Sequence, residues 1–198
     1  ARFWLHNGML TFDGKKMSKS LGNTLQLHEL LQQHPPELLR YMLMKAHYRQ
    51  PLDWTESLIE QSRKSLDRLY GVLQRAKAVK ASGLTETDPL EPLLDDLNTP
   101  QATSHLFRYA DDLDRSVRDG TDGGPSKRAL MELAGALGFL QADPDAWFEG
   151  GADEDLKAQV EALLVERLAA RAAKDWPTAD RIRGDLDGLA RERLDTFL

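Results

Sequence analysis

Apolar residues recur at three- and four-residue steps along most of the chain, a spacing that predicts helices with one buried face each. Leu58, Ile59, Ser62, Leu66, Leu69, Tyr70 and Leu73 mark such a stripe over about 55–80, and Ser82-Gly83 and Pro89 break it. Leu90, Leu93, Leu94 and Leu97 predict a short helix closed by Asn98-Thr99-Pro100. Ala102, Leu106, Phe107, Ala110, Leu113 and Val117 form the next stripe, ending at a breaker over 120–125. Leu130, Leu133, Ala134, Leu137 and Leu140 form another. Helices joined by short breakers argue for an antiparallel bundle. Asp143–Gly151, rich in Asp, Gly and Pro, reads as a linker. Beyond it Leu156, Val160, Leu163, Leu164 and Leu168 predict a helix of about 153–174. Trp176-Pro177 interrupts, and Ile182, Leu186 and Leu189 predict a last helix of about 177–191.

The start of the chain is patterned differently. Residues 1–12 read as two short strands around Asn7-Gly8, a pair that favours a tight hairpin turn. Thr24 is placed to cap a helix over roughly 25–34, which Pro35-Pro36 terminates. Pro36 suits the first turn of a helix over roughly 36–47, and 47–53 is a connector. No strand alternation follows residue 12, so the predicted fold class is mainly α.

Composition narrows the class. With 198 residues, 41% hydrophobic and 29% charged, the chain can form one or two domains with a real core. It has no cysteine, which excludes a disulfide scaffold and a cysteine-ligated zinc site within it. No apolar run is long enough to span a membrane and no signal peptide is visible; the lack of cysteine fits the cytoplasmic location expected. The net charge of −6 is uneven: residues 1–80 carry 13 Lys and Arg against 7 Asp and Glu, and the remainder 13 against 25. A basic half beside an acidic one suits contact of the first with a polyanion, although helical surfaces can carry the same charges without one. His6, His28, His34, His47 and His105 are too scattered for a metal cluster, and no metal site is predicted.

The stretch with the most chemistry is Lys15-Lys16-Met17-Ser18-Lys19-Ser20-Leu21-Gly22-Asn23. Lys16 and Lys19 would present ammonium groups as compact point charges, which suit nucleotide phosphates. Charge neutralisation and positioning are what phosphoryl and nucleotidyl transfer need. Met17 is the apolar member, suited to packing. Gly22-Asn23 tolerates left-handed backbone and can act as a hinge.

Lys16-Met17-Ser18-Lys19-Ser20 resembles the signature loop of class I aminoacyl-tRNA synthetases at all five positions. Trp4–Gly8, Arg40–Leu52, Leu94–Ala102, and Arg171–Trp176 with Ala179–Arg183 resemble, in order, separated patches of cysteinyl-tRNA synthetase. The resemblance implies the C-terminal half of such an enzyme. Its parts would be the end of a class I catalytic domain over 1–53, with a short hairpin and the signature loop, and a helical-bundle tRNA-binding domain over 54–142. A linker over 143–152 and a small anticodon-proximal helical segment over 153–198 would follow. It implies catalytic Lys16 and Lys19, ATP contact by Lys16, Met17, Ser18, Lys19 and Ser20, and anticodon contact by Arg171, Trp176, Asp180 and Arg183. Single-stranded RNA is read by stacking on aromatic or Arg planes and by hydrogen bonds to base edges, chemistry that these side chains offer. The competing reading makes Trp176 a plug between two helices and the charges surface ion pairs.

The implied reaction ligates cysteine to its tRNA through a cysteinyl-adenylate, with ATP and Mg²⁺. The implied partners are cysteine-specific tRNA and ATP, and a monomer is expected. The family binds cysteine through Zn²⁺ on ligands upstream of the loop and carries a His-rich ATP motif near its N-terminus. Neither is in this chain, so the chain alone is predicted to be inactive. Its last residues, Ala190–Leu198, also depart from the family's ending. Two alternatives stand beside this reading: a paralogous ligase that attaches cysteine to an amino sugar, and a non-catalytic RNA-binding module.

Overall fold

The computed structural model describes residues 2, 4–18, 20, 24–149 and 154–196. The chain divides into two compact units, 1–148 and 149–198. The first holds a three-stranded sheet and a set of helices. Strand β1 (Leu10–Phe12) is central, pairs antiparallel with β2 (Lys15–Lys16) and runs parallel to β3 (Leu52–Trp54). The turn between β1 and β2 is Asp13-Gly14, with φ of 49° and 72°. Two successive left-handed residues are what a type I′ hairpin turn requires.

The hairpin therefore lies one turn later than Asn7-Gly8 predicts, and residues 4–9 form no strand. Gly8 is needed for another reason. Its N–H donates to the Tyr48 carbonyl at 2.6 Å, and a Cβ there would stand 2.0 Å from the Gln50 oxygen. The residue permits close approach of two backbones, not a turn. Strand β3 also corrects the expectation of no strand after residue 12. Three residues are too few to show alternation, and only the pairing with β1 defines it.

Helices α1 (Leu27–Gln33) and α2 (Pro36–Met44) meet at the two prolines, with Pro36 in the first turn of α2. Gln26, not Thr24, stands at the N-cap of α1, and its side chain makes no capping bond. Helix α3 (Glu56–Arg75) starts where Thr55 Oγ1 accepts from the Leu58 N–H at 3.2 Å. Its stripe is buried as the spacing predicts, with Leu66, Leu69 and Tyr70 fully enclosed. Full burial of a leucine side chain contributes roughly 1.5–3 kcal/mol.

The short α4 (Glu91–Leu94) leads into α5 (Thr99–Asp119), and α6 (Gly124–Leu137) returns along α5. Leu106, Leu113, Leu130 and Leu133 join Leu38, Met42 and Leu66 in one core. Ion pairs Arg68–Asp111 at 2.5 Å and Arg75–Asp114 at 2.8 Å advance in the same direction on α3 and α5, so these two helices run alike. Lys127, at the start of α6, donates its ammonium to the Ala76 and Val79 carbonyls beyond the end of α3.

The segment read as a linker contains α7 (Pro144–Glu149). Asp143 Oδ1 accepts from the N–H groups of Asp145 and Ala146, and Pro144 opens the helix, a start signal inside an otherwise loop-like composition. Trp147 stacks on Tyr70 with centroids 4.3 Å apart and planes 12° from parallel, and its Nε1–H donates to Asp67 at 2.8 Å. The end of the first unit is thereby fastened to α3.

The second unit is a helical hairpin of α8 (Glu154–Ala172) and α9 (Trp176–Thr196). Lys174 at φ 60° makes the corner. Small Ala170 and Ala179, with Ile182, are buried where the helices meet. Among the described residues, no helix is long and apolar enough to cross a membrane.

The Tyr70 hydroxyl donates to Glu37 Oε2 at 2.7 Å and accepts from the Ala142 N–H at 3.1 Å, joining α2, α3 and the entry to α7. Tyr70→Phe leaves the Ala142 N–H and the half-buried Glu37 carboxylate each without one partner. It is expected to cost about 1–3 kcal/mol of unfolding free energy in urea titration, with the fold retained.

Candidate functional site

The lysine loop begins inside the sheet. Lys15 and Lys16 are exposed on β2, and the register sets Lys16 opposite Thr11 and Thr11 beside Asp53. Met17 and Ser18 are half-buried, which agrees with a packing role for the methionine, and the Ser18 and Ser20 hydroxyls lie 3.2 Å apart. Lys19, and Leu21-Gly22-Asn23 with the hinge expected there, lie outside the described residues.

What holds the hairpin is Asp53. Its Oδ1 accepts from Thr11 Oγ1 at 2.6 Å and from the Gly14 N–H at 2.9 Å, and Oδ2 lies 3.1 Å from the same N–H. The Thr11 hydroxyl and then the Gly14 amide hold the Asp53 carboxyl below the usual carboxylate range. The Asp13 N–H completes the attachment by donating to the Trp54 carbonyl at 3.2 Å. Pattern reasoning missed Asp53, because its role depends on a parallel pairing across 42 residues.

A second cluster joins the connector after α2 to the loop before α5. Asp96 accepts from Tyr48 Oη at 2.6 Å, Arg49 Nε at 2.7 Å and Arg49 Nη2 at 3.2 Å. His47 Nε2 lies 3.0 Å from the Asp96 carbonyl oxygen, in keeping with a structural histidine. Asp96 and Leu97 both have left-handed backbone, φ 50° and 53°, so the loop is bent to deliver the carboxylate. Bonds from Arg49, then Tyr48, pull the Asp96 pKa down to about 2. Asp96 fastens the connector after α2 to the loop before α5. Among the described residues, no group of three or more His, Cys, Asp and Glu side chains could hold a metal ion.

In the second unit Arg171, Trp176, Asp180 and Arg183 are all exposed. Trp176 is 57% accessible, which overturns the reading of it as an interior plug; the two alanines fill that role. Trp176, Asp180 and Arg183 occupy steps of four and three on α9 and so share one face, beside the stripe of Ala179, Ile182 and Leu186. Arg171 stands at the end of α8, across the corner. Asp175 caps α9 by accepting from the Thr178 N–H at 3.3 Å, and the Thr178 hydroxyl and then this amide hold its carboxyl below the usual carboxylate range. Arg183 lies 3.7 Å from Asp180, while Arg181 pairs with Glu166 of α8 and Asp185. Arg181 therefore ties the helices together, and the 176–180–183 face stays turned to solvent.

Three family models match in chain order: the class I (C) tRNA synthetase catalytic domain over residues 1–64, the DALR domain over 91–141, and the cysteinyl-tRNA ligase anticodon binding domain over 153–189. The first of these matches covers the hairpin and the lysine loop, so the opening residues are those of a class I aminoacyl-tRNA synthetase catalytic domain. The chain is 55% identical over 193 residues to the cysteine–tRNA ligase of Caulobacter vibrioides (strain NA1000 / CB15N), covering 96% of this chain and 42% of that protein. It is 52% identical over 186 residues to that of Xanthomonas campestris pv. campestris, covering 94% and 40%, and 48% over 193 residues to that of Maricaulis maris, covering 96% and 41%. The chain belongs to the cysteinyl-tRNA synthetase family and spans about two fifths of the length of these curated relatives.

The depressed pKa of Asp96 has a definite sign. Its bonds stabilise the fold in full above the ordinary carboxylate value and are lost as pH falls through about 2. Carboxyl ¹³C NMR is expected to give Asp96 a midpoint near 2, moving back toward the ordinary range in Arg49→Ala. An ordinary midpoint in the unaltered chain would contradict the latch.

Proposed function

We propose that this chain provides the nucleotide loop and the RNA-contacting surfaces of an ATP-dependent cysteine–tRNA ligase, which joins cysteine to its tRNA through a cysteinyl-adenylate. The observation that carries the reading is the exposed Trp176–Asp180–Arg183 face, in a chain whose lysine loop issues from an anchored hairpin. Lys16 and Lys19 meet the triphosphate and offset the charge that develops on pyrophosphate as it leaves. This raises the rate to the extent that the contact is tighter in the transition state than with bound ATP. Ser18, Ser20 and Met17 complete the loop's contact with the nucleotide. Mg²⁺, which accompanies ATP, neutralises phosphate charge. The described residues offer no ligand set that fits Zn²⁺, so cysteine recognition is not assigned to them.

Residues 1–53 act as the end of the catalytic domain, 54–142 as the helical domain along the tRNA and 153–198 as the anticodon-proximal part. On that surface Trp176 stacks a base, Arg171 and Arg183 bind base edges or phosphate, and Asp180 accepts from a base amino group. The chain acts in the cytoplasm, as a monomer, within the complete ligase.

Two measurements check this. The chain alone is expected to give no cysteine-dependent ATP–pyrophosphate exchange, and exchange by the chain alone would contradict the assignment of cysteine binding elsewhere. Trp176→Ala is expected to weaken cysteine-tRNA binding about tenfold or more, and Trp176→Phe less, since stacking on an aromatic plane is worth roughly 1–3 kcal/mol per base. Equal binding by all three would remove the anticodon role and favour an amino-sugar acceptor.

A further inference from the structure

We infer that Asp53 is the positioning residue for the lysine loop: its carboxylate sets where Lys16 stands when a polyphosphate arrives. The inference rests on the proposed reading of that loop as a phosphate site. The β1–β2 ladder has two residue pairs, Thr11 with Lys16 and Phe12 with Lys15, and a ribbon of that length is not stable alone. Its rigidity comes from outside. Asp53 grips the hairpin at two points, the Thr11 hydroxyl within β1 and the Gly14 N–H in the turn, just before Lys15.

Lys16, Thr11 and Asp53 stand in register in one row across the sheet. Directly paired residues send their side chains to the same face, so carboxylate and ammonium belong to one surface. They are two strand spacings apart, about 10 Å. Asp53 touches neither substrate nor reacting atoms in this account. It acts through Thr11 and Gly14, whose bonds fix the direction in which β2 leaves the turn.

One feature of the geometry separates this role from general stability. Oδ1 accepts from both donors and Oδ2 also meets the Gly14 N–H, so an amide oxygen at the Oδ1 place keeps two bonds but sets its NH₂ against that N–H, and Asp53→Asn should rescue part of what Asp53→Ala loses. Thr11→Val, nearly the same shape without the hydroxyl, removes one bond and leaves the Gly14 contact.

The experiment uses the 198-residue chain with Mg²⁺-tripolyphosphate as probe. Amide exchange is measured at residues 13–16, and binding is followed by NMR shifts of the same residues. In Asp53→Ala, exchange at Gly14 and Lys16 is expected to rise about tenfold and affinity to fall about tenfold. Asp53→Asn and Thr11→Val should both fall between the unaltered chain and Asp53→Ala. Unchanged exchange in Asp53→Ala overturns the inference, as does raised exchange with unchanged affinity. Lys16→Ala distinguishes the two levels. If it binds tripolyphosphate as the unaltered chain does, the loop is not the phosphate site and the reading beneath the inference fails. If it binds weakly while Asp53→Ala binds normally, the inference alone is overturned.

Discussion

Two short strands separated by some 40 residues of chain depend on each other in this structure. β1 and β2 together offer too little hydrogen bonding to stay ordered unaided, and β3 supplies the third strand, the Asp53 carboxylate and the Trp54 carbonyl in one stroke. β3 in turn is held because it runs directly into α3, whose Thr55 cap and buried stripe tie it to the core. A helix that is long, amphipathic and well capped thus fixes a hairpin that could not fix itself. Lys15 and Lys16 ride on that hairpin, so the stiffness of the helical core reaches them through β3.

The same economy recurs at the other joints. Asp96, presented by two left-handed residues, gathers Tyr48 and Arg49 from the connector, and Thr99 Oγ1 donates to the Ala46 carbonyl beside it at 3.3 Å. Glu37 receives Tyr70 on one oxygen and the Leu140 N–H on the other. Each joint uses a carboxylate as a fork for donors from separate segments, a role in which an ionised acceptor makes shorter and stronger bonds than a neutral one. In the second unit the corresponding link is Arg181, which leaves Trp176, Asp180 and Arg183 out of the internal packing of the hairpin.

Helices α3, α5 and α6 were legible from spacing because each buries one stripe, with Leu66, Leu69, Leu106 and Leu130 where the periodicity puts them, whereas Leu94, Leu97, Leu164 and Leu168 of the other expected stripes are exposed. Helix direction was not legible. Spacing gives a face and says nothing about sense, and α3 and α5 run alike because the chain over 76–98 returns across the bundle. The Asn7-Gly8 pair pointed to the wrong turn, since a glycine required for backbone approach looks the same in sequence as one required for a left-handed turn. Asp13-Gly14 was the stronger signal. Asp143-Pro144 was hidden by a composition that suggests a linker, and Trp147 finds its partner Tyr70 far away in sequence. The lysine loop and the α9 face could be named from residues and resemblance, whereas Asp53 and Asp96 emerge only when distant segments meet.

The proposed function requires two separate ligand surfaces on this chain, a cationic loop for polyphosphate and an aromatic, charged helix face for RNA. The most direct test is an NMR footprint of the chain titrated with the anticodon stem-loop of a cysteine tRNA and, separately, with Mg²⁺-ATP. The RNA is expected to shift the Trp176 indole and amides over 171–183 while leaving 10–18 unmoved, and the nucleotide to do the reverse. Shifts from both ligands at the same residues, or no response of the Trp176 indole to the RNA, would contradict it.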